Sequence, residues 1–317
     1  MSEPISIAVV IPCYQEELTI GKVVGDFRRE LPQARIIVYD NNSTDRTVEE
    51  ALKAGAEVRR EKRQGKGWVV AAMFREVDAD ILVMVDGDDT YDPTAVHALI
   101  RPILTGEADT TVATRLVNYG SGSFRKLHIS GNRWVCSIIN WMFPSGVTDI
   151  FSGYRAFSRE AMANIPVTAH GFDVETELTL QALYRGLMLK EIEAPYGARP
   201  EGSFSKLRTF ADGSAVLLKL FLMIKSYKPL TFFGSLALLL LAGAMGVGLP
   251  PLIASVSQHG VVSMPMVVVA LGLVLLSSLS LALGLMLNSV NLRLLELETL
   301  IQARLGVGAA RDRSRTV

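Results

Sequence analysis

Ile81-Leu82-Val83-Met84-Val85-Asp86-Gly87-Asp88-Asp89-Thr90-Tyr91 sets five apolar residues directly against a turn that holds three carboxylates. A short, continuous apolar run closed by turn residues reads as a strand buried on both faces. Ile5 to Ile11 and Arg35 to Tyr39 have the same character. Between and after these runs lie segments of crossover-helix length: Leu18 to Arg29, Thr44 to Ala54, Gly67 to Val77 and Pro93 to Leu104. Ser43 or Thr44, and Asp92 followed by Pro93, are suitable helix starts. The pattern predicts an α/β domain with an open, mostly parallel, Rossmann-like sheet. Ligands of such sheets bind outside the carboxyl ends of the strands, so chemistry is sought in the residues after each run.

Those residues are Pro12-Cys13-Tyr14-Gln15-Glu16-Glu17, Asp40-Asn41-Asn42-Ser43-Thr44-Asp45 and Asp86-Gly87-Asp88-Asp89-Thr90-Tyr91. Asp40 stands where a dinucleotide fold places an acid, but the turn after the first strand holds Pro12, Tyr14 and two glutamates instead of the required glycines. A nicotinamide-type reading fails on that turn, and no Walker loop is present. Asp86 and Asp88 alternate in side-chain direction at a sheet edge, and like charge packed so closely favours a cation. Hard oxygen donors select Mg²⁺ or Mn²⁺, completed by substrate phosphates; the competing reading is a solvated acidic turn.

The charge pattern divides the chain. Its 317 residues carry 32 Lys plus Arg against 32 Asp plus Glu, yet Pro229 to Leu292 contains none of them, and His259 is the only titratable side chain there. Leu230 to Leu249 supplies about 20 apolar residues and Met266 to Leu287 about 22, each enough to cross a hydrocarbon core of about 30 Å. Pro250 and Pro251 are expected to break the first helix, giving a hairpin over residues 229–292. A buried core hairpin in a soluble protein is the alternative, but two helices without a polar face need far more chain to wrap them. Lys219, Lys225 and Lys228 precede the first span, and Arg293, Arg304, Arg311, Arg313 and Arg315 follow the second. By the positive-inside rule both termini and the α/β domain are cytosolic, with 293–317 a basic tail. An integral membrane protein is expected, in the plasma membrane if the source is prokaryotic. Residues 206–228 mix apolar positions with Lys206, Arg208, Lys219, Lys225 and Lys228, as an amphipathic helix lying in the interface would, or as the first helix of a membrane bundle. Residues 1–205 remain as the cytosolic domain.

Several classes are excluded. Balanced charge without a basic block argues against nucleic acid as a partner. Cys13 and Cys136 provide neither a disulfide framework nor a Cys-rich metal site and suit free thiols in a reducing compartment. No secretory signal is expected in the first residues. His128 and His170 lack metal spacing.

Six segments in order carry a resemblance to a known family: Val9-Val10-Ile11-Pro12-Cys13-Tyr14-Gln15-Glu16-Glu17; Asp40-Asn41-Asn42-Ser43-Thr44-Asp45; Arg63-Gln64-Gly65-Lys66-Gly67; Asp86-Gly87-Asp88; Ser152-Gly153-Tyr154-Arg155-Ala156-Phe157; and Gly202-Ser203-Phe204-Ser205-Lys206. From about Ile5 to Gly213 the chain resembles the inverting family 2 glycosyltransferases of the GT-A fold, specifically the membrane-anchored polyprenyl-phosphate, or dolichol-phosphate-type, enzymes. Gln15 stands where that family usually has Asn, Asn41 where it has a second Asp, and Thr90 where its metal motif commonly has Gln.

The resemblance implies that Pro12, Tyr14, Glu16, Asp40, Lys66 and Asp86 line the nucleotide, and that Asp86, Asp88 and Thr90 hold Mg²⁺ or Mn²⁺, with Asp88 catalytic. It implies a nucleotide-sugar donor, UDP-glucose or UDP-N-acetylglucosamine favoured over GDP-mannose, and a polyprenyl phosphate acceptor in the membrane. A phosphate monoester is largely a dianion at neutral pH, so cations to steer it matter more than a strong base. Arg115, Arg125, Lys126, Arg133, Arg155, Arg199, Lys206 and Arg208 are the candidates, and Asp149 is the remaining acid for orienting the acceptor or taking a proton. Gly171 to Glu177 is expected to open an amphipathic helix; Glu175 or Glu177 facing the site is one reading, and capping with helix-dipole complementarity explains most of the pattern. Trp134, Trp141 and Phe143 are expected under a lipid entrance or in the core. The sequence does not give the oligomeric state; the small residues Gly243, Ala244, Gly246 and Gly248 would allow a homo-oligomer packed through the hairpin.

Two rivals differ at identifiable positions. A processive polysaccharide synthase carries Q-x-x-R-W and more spans, whereas Arg133-Trp134 here follows Ser130. A catalytically silent membrane adaptor would have no need of Asp86, Asp88 and Lys66.

Overall fold

The computed structural model describes residues 5–115, 123–168, 171, 174–200, 221–258 and 264–313. Chain contacts divide it into two compact units, Met1–Val216 and Leu217–Val317.

The first unit is built on a seven-stranded sheet: β1 (Ile7–Cys13), β2 (Arg35–Asp40), β3 (Glu57–Arg60), β4 (Ile81–Met84), β5 (Thr110–Thr114), β6 (Arg155–Ser158) and β7 (Leu189–Glu193). Their order across the sheet is β3-β2-β1-β4-β6-β5-β7. β3, β2, β1 and β4 are mutually parallel, as the apolar runs predict. β6 inserts antiparallel between β4 and β5, and β7 then runs parallel to β5. Helices α1 (Ile20–Glu30), α2 (Thr47–Lys53), α3 (Lys66–Glu76) and α4 (Val96–Leu104) make the crossovers. α5 (Ser123–Met142), α6 (Arg159–Asn164) and α7 (Val174–Tyr184) follow.

Alternation along β1 sends its side chains into two cores. Val9 and Ile11 meet Ile20, Val24 and Phe27 of α1 on one face. Ala8 and Val10 meet Val69, Val70 and Met73 of α3, with Val174 and Leu178 of α7, on the other. Burying each such side chain is worth about 1.5–3 kcal/mol, and these two layers fix where the strand ends point.

Helix starts follow the capping logic with one shift. Asp92 accepts from Thr94 N with Pro93 in the first position. At α2 the cap is neither Ser43 nor Thr44. Asp45 accepts from Thr47 N at 3.0 Å, because the two expected caps are turned toward the β1 loop.

In the second unit, α8 (Pro229–Gln258) and α9 (Met264–Arg313) pack as a hairpin. Both are long and apolar enough to cross a membrane, over Pro229–Ile253 and Met264–Leu297. Pro250 and Pro251 do not end α8, contrary to the expected break. The two prolines remove only their own backbone donors, and the helix continues through them. α9 likewise runs on through most of the expected tail. Most apolar side chains on both helices face outward, among them Leu238, Leu239, Leu275 and Met286. Ser277 and Ser280 donate to the carbonyls of Ala237 and Phe233. Gly243 faces Leu273, and Gly248 meets the Ala270 methyl closely; these small residues are thus used within the hairpin. The expected interface helix lies outside the described residues up to 220, and residues 221–227 are helical.

Candidate active site

The loops after β1, β2 and β4 converge at one sheet edge, and each contains a non-glycine residue in the left-handed region: Gln15 (φ 56°), Asn42 (φ 66°) and Asp89 (φ 57°). Such residues cost energy unless their surroundings hold them. Gln15 is held from both sides. Its backbone N–H donates to Ser43 Oγ at 3.0 Å and its Nε2 to Thr44 Oγ1 at 2.8 Å, while its Oε1 accepts from the Thr44 and Asp45 amides. A shorter Asn would reach less far, which accounts for the substitution. Glu16 N donates to the buried Thr47 Oγ1 at 2.8 Å, and Glu17 accepts from Arg46 N at 3.0 Å. The Asp40 to Asp45 segment therefore laces the first loop in place.

Asp40 itself is fully buried, accepting from Ser43 N at 3.0 Å and from Arg60 Nε at 3.1 Å. Asn41 spans to the next loop: its Nδ2 donates to the carbonyls of Glu61 and Arg63, and its Oδ1 accepts from Gly65 N at 2.7 Å. An aspartate could not donate to two carbonyls, so Asn41 holds the turn that delivers Lys66 to the start of α3. Pro12 lies in β1 beside Tyr39, Tyr14 is exposed, and Glu16 is almost buried.

Beyond β4 the acidic pair is held by cations. Lys66 Nζ lies 2.5 Å from Asp86 Oδ1 and 2.5 Å from Glu175 Oε1. Burial alone would lower the Lys66 pKa, but Asp86 and Glu175 more than offset it and hold the ammonium above the usual lysine range. Asp88 is buried, with Oδ2 2.6 Å from Arg199 and Oδ1 accepting from Thr90 Oγ1 at 2.6 Å. Burial first and the Asp86 charge second push the Asp88 carboxyl above its ordinary range, against Thr90 and Arg199. Thr90 donates its hydroxyl proton to Asp88 and so orients that carboxylate. Asp89 turns away to Lys22, 2.6 Å distant.

No group of three or more His, Cys, Asp and Glu side chains converges among the described residues. Two adjacent carboxylates under mutual repulsion fit an ion that takes one or two carboxylates and completes its shell with substrate oxygens. Asp86 and Asp88 are the residues that would hold it. A Cβ on Gly153 would overlap the Asp86 carboxylate, so that glycine makes room for the acid, whereas one on Gly87 would lie 2.7 Å from Cys13 Sγ, so that glycine lets the turn pack against β1.

Arg115, at the end of β5, is clasped by Asp149. The carboxylate accepts from Arg115 N (3.1 Å), Nε (2.8 Å) and Nη2 (2.9 Å). Burial would raise the Asp149 pKa, but Arg115 outweighs it and holds the carboxyl below the usual range. An acid so stabilised is a weaker proton acceptor, which favours the orienting alternative over the base, and its carboxylate fixes the Arg115 guanidinium in place. Arg155 also departs from expectation. Its guanidinium is buried, donating to the carbonyls of Ser152 (2.7 Å) and Ile150 (2.8 Å) and to Thr179 Oγ1 (2.8 Å). Those donors brace the 150–152 loop and are not presented to an acceptor.

Arg133 is exposed on α5. The side chains of Arg125 and Lys126, and all of Lys206 and Arg208, lie outside the described residues. Sequence reasoning gave Glu175 a minor role and missed Glu191. α7 is buried from Val174 to Ala182, so an ionised Glu175 there requires a partner. Glu191 accepts from Thr148 N, Thr148 Oγ1 and Asp149 N, and only tertiary structure brings it there.

Residues 8–165 match the family model described as glycosyl transferase family 2. The glycosyltransferase AglJ of Haloferax volcanii is 33% identical over 250 residues, covering 78% of this chain and 82% of that protein. A dolichyl-phosphate hexose transferase of the same organism is 30% identical over 210 residues, covering 66% and 90%. Among solved structures, glucosyl-3-phosphoglycerate synthase from Mycobacterium tuberculosis superposes with a TM-score of 0.57 at 25% identity, covering 69% of this chain and 80% of that one. Sheet order, strand-end acids and relatives agree, and the chain belongs to glycosyl transferase family 2.

Proposed function

We propose that this protein transfers a sugar from a nucleoside-diphosphate sugar to a polyprenyl phosphate held in a membrane, with inversion at the anomeric carbon. The observation that carries this reading is the cluster of Asp86 and Asp88 with Lys66 and Arg199 at the carboxyl end of β4. It is supported by similarity to the dolichyl-phosphate hexose transferase, and by two helices of membrane-spanning length in the same chain. The hairpin spans the bilayer, with the first unit on the cytosolic side.

In the reaction a lipid-phosphate oxygen attacks the anomeric carbon as the bond to the nucleoside diphosphate breaks. Negative charge grows on the departing diphosphate, and preorganised cations aimed at it lower the barrier. Asp86 and Asp88 would hold a divalent ion, Mg²⁺ or Mn²⁺, which would supply such charge. Lys66 and Arg199 add charge from the protein. Pro12, Tyr14 and Glu16 form the wall for the nucleoside, and the buried Asp40 braces the loop beneath it. Arg115, fixed by Asp149, meets the acceptor phosphate, with Arg133, Arg125, Lys126, Lys206 and Arg208 as further cations. The acceptor arrives as a dianion, so no strong base is required. UDP-glucose and UDP-N-acetylglucosamine are the favoured donors, ahead of GDP-mannose.

Purified full-length protein in detergent, given Mn²⁺ or Mg²⁺, a polyprenyl phosphate and each nucleotide sugar in turn, is expected to release nucleoside diphosphate and form a lipid-monophosphate sugar. Asp88→Ala is expected to abolish release. Turnover without lipid phosphate, or a polymeric product, overturns the reading.

A further inference from the structure

α5 is apolar on two sides. Its inner face, Asn132, Val135, Cys136, Ile139 and Met142, follows helical spacing and is buried. A surface helix ordinarily carries polar residues on the opposite face. Here Trp134 is 57% exposed and Trp141 is 67% exposed, two helical turns apart on one stripe, with Ile138 between them. Phe143, expected alongside them, is in the core. Other exposed large apolar residues of this unit, such as Leu18, Leu52, Leu104 and Met188, stand singly on separate elements. The sequence of α5 includes Arg125, Lys126 and Arg133 but no Asp or Glu.

Tryptophan beside cations, without acids, is the composition of a helix seated in the headgroup layer. We infer that the Trp134–Trp141 face of α5 docks on an anionic bilayer surface. The inference rests on the reading that the hairpin spans that bilayer, since a tether keeps the face at high effective concentration near lipid. Lipid is favoured over a protein partner by the one-sign charge of the helix, which complements anionic headgroups.

Docking here has a direct link to the site. Asn132 Nδ2 donates to the Thr148 carbonyl at 2.8 Å, and Asn140 both donates to the Val147 carbonyl (2.8 Å) and accepts from Val147 N (2.9 Å). The segment so gripped leads into Asp149, which aims Arg115. A bilayer against the outer face of α5 therefore sets the height of Arg115 relative to the layer where a lipid phosphate lies.

The chain has three tryptophans, and the third, Trp68, lies under the Arg63 guanidinium, 4.0 Å from its ring centre, as an internal control. The full chain is reconstituted in vesicles of phosphatidylcholine and phosphatidylglycerol whose acyl chains are brominated near the glycerol end. In a Trp68→Phe background, bromolipid is expected to quench more than half of the emission, and less when phosphatidylglycerol is replaced by phosphatidylcholine. In Trp134→Phe/Trp141→Phe protein, Trp68 is expected to be unquenched. Emission quenched by aqueous acrylamide but not by bromolipid overturns the inference. Protection from both quenchers also overturns it, because the face is then covered by protein, either another segment of this chain or a second copy. Carbonate extraction of the same vesicles separates the two readings: release of the chain defeats the spanning hairpin, whereas retention without quenching defeats only the docking of α5.

Discussion

Arg115 gives Asp149 three hydrogen bonds, one from its backbone amide and two from its guanidinium. The pair is nearly closed to solvent on the carboxylate side, and Glu191 holds the Asp149 amide from behind. Asp149 thus behaves as the fixed mount of a cation. Asp149→Asn keeps the shape but removes the counter-charge, and the amide can no longer accept from all three donors. The KM for lipid phosphate is expected to rise about tenfold, equivalent to about 1.4 kcal/mol, with a smaller change in kcat. Steady-state kinetics over lipid-phosphate concentration check this. A collapse of kcat at unchanged KM would instead restore the base.

Gly153 is a second point where a small change should reach the metal ligands. The Asp86 carboxylate occupies the volume a Cβ would need there, and Gly153 N donates to Tyr91 Oη at 2.9 Å, so the backbone has little freedom to retreat. Gly153→Ala is expected to displace Asp86 and weaken Mn²⁺ binding at least tenfold, measured by electron paramagnetic resonance of the free ion. Circular dichroism is expected to remain that of the native fold. Unaltered Mn²⁺ affinity would remove Asp86 from the donor set.

These sites show where reading the sequence succeeds and where it stops. β1, β2 and β4 are legible because both faces of each strand are covered, leaving continuous apolar runs. β6 is not: Arg155-Ala156-Phe157-Ser158 is four residues long and opens with a charge. Its place depends on long-range pairing with β4, Ile81 to Ser158, and with β5, Thr110 to Phe157. The Asp86 and Asp88 pair stands out in the sequence because strand ends are where ligands gather, whereas Lys66 stands out only through the family resemblance. Glu175 is legible only as one of two acids that could face the site, since a helix start rich in acids also has a sufficient local explanation. The cation role expected of Arg155 fails for a related reason, as sequence shows a charge without showing what surrounds it.

Glu61 and Arg63 supply a pH-dependent effect away from the acidic pair. Arg63 donates to the Glu61 carboxylate through its backbone N, Nε and Nη2 at 2.8–3.0 Å. The side-chain bond from Arg63, offset partly by burial, lowers the Glu61 pKa from its ordinary 4.5 to about 2. A carboxyl depressed on folding contributes stability that is complete above the unfolded value and disappears as pH falls through the folded one. Wild type is therefore expected to exceed Glu61→Gln in stability at pH 6, with the gap closing progressively below about pH 4.5. Denaturant midpoints of the two proteins at pH 6, 4 and 3 test this. A gap that stays constant with pH would mean that Glu61 acts through shape alone.

Arg155 offers the sharpest separation of support from acceptor binding. Its planar fork spans two carbonyls and a hydroxyl inside the protein, a geometry that a lysine ammonium does not reproduce. Arg155→Lys leaves buried acceptors without donors and is expected to cost about 2–4 kcal/mol of stability, read from chemical denaturation. At a temperature where the variant is folded, its KM for lipid phosphate is expected to stay within about threefold of wild type, because the positive charge was never presented to the acceptor. A large rise in that KM without loss of stability would show the guanidinium in contact with phosphate. The brace of the Ile150 to Ser152 loop would then have to be assigned to other residues.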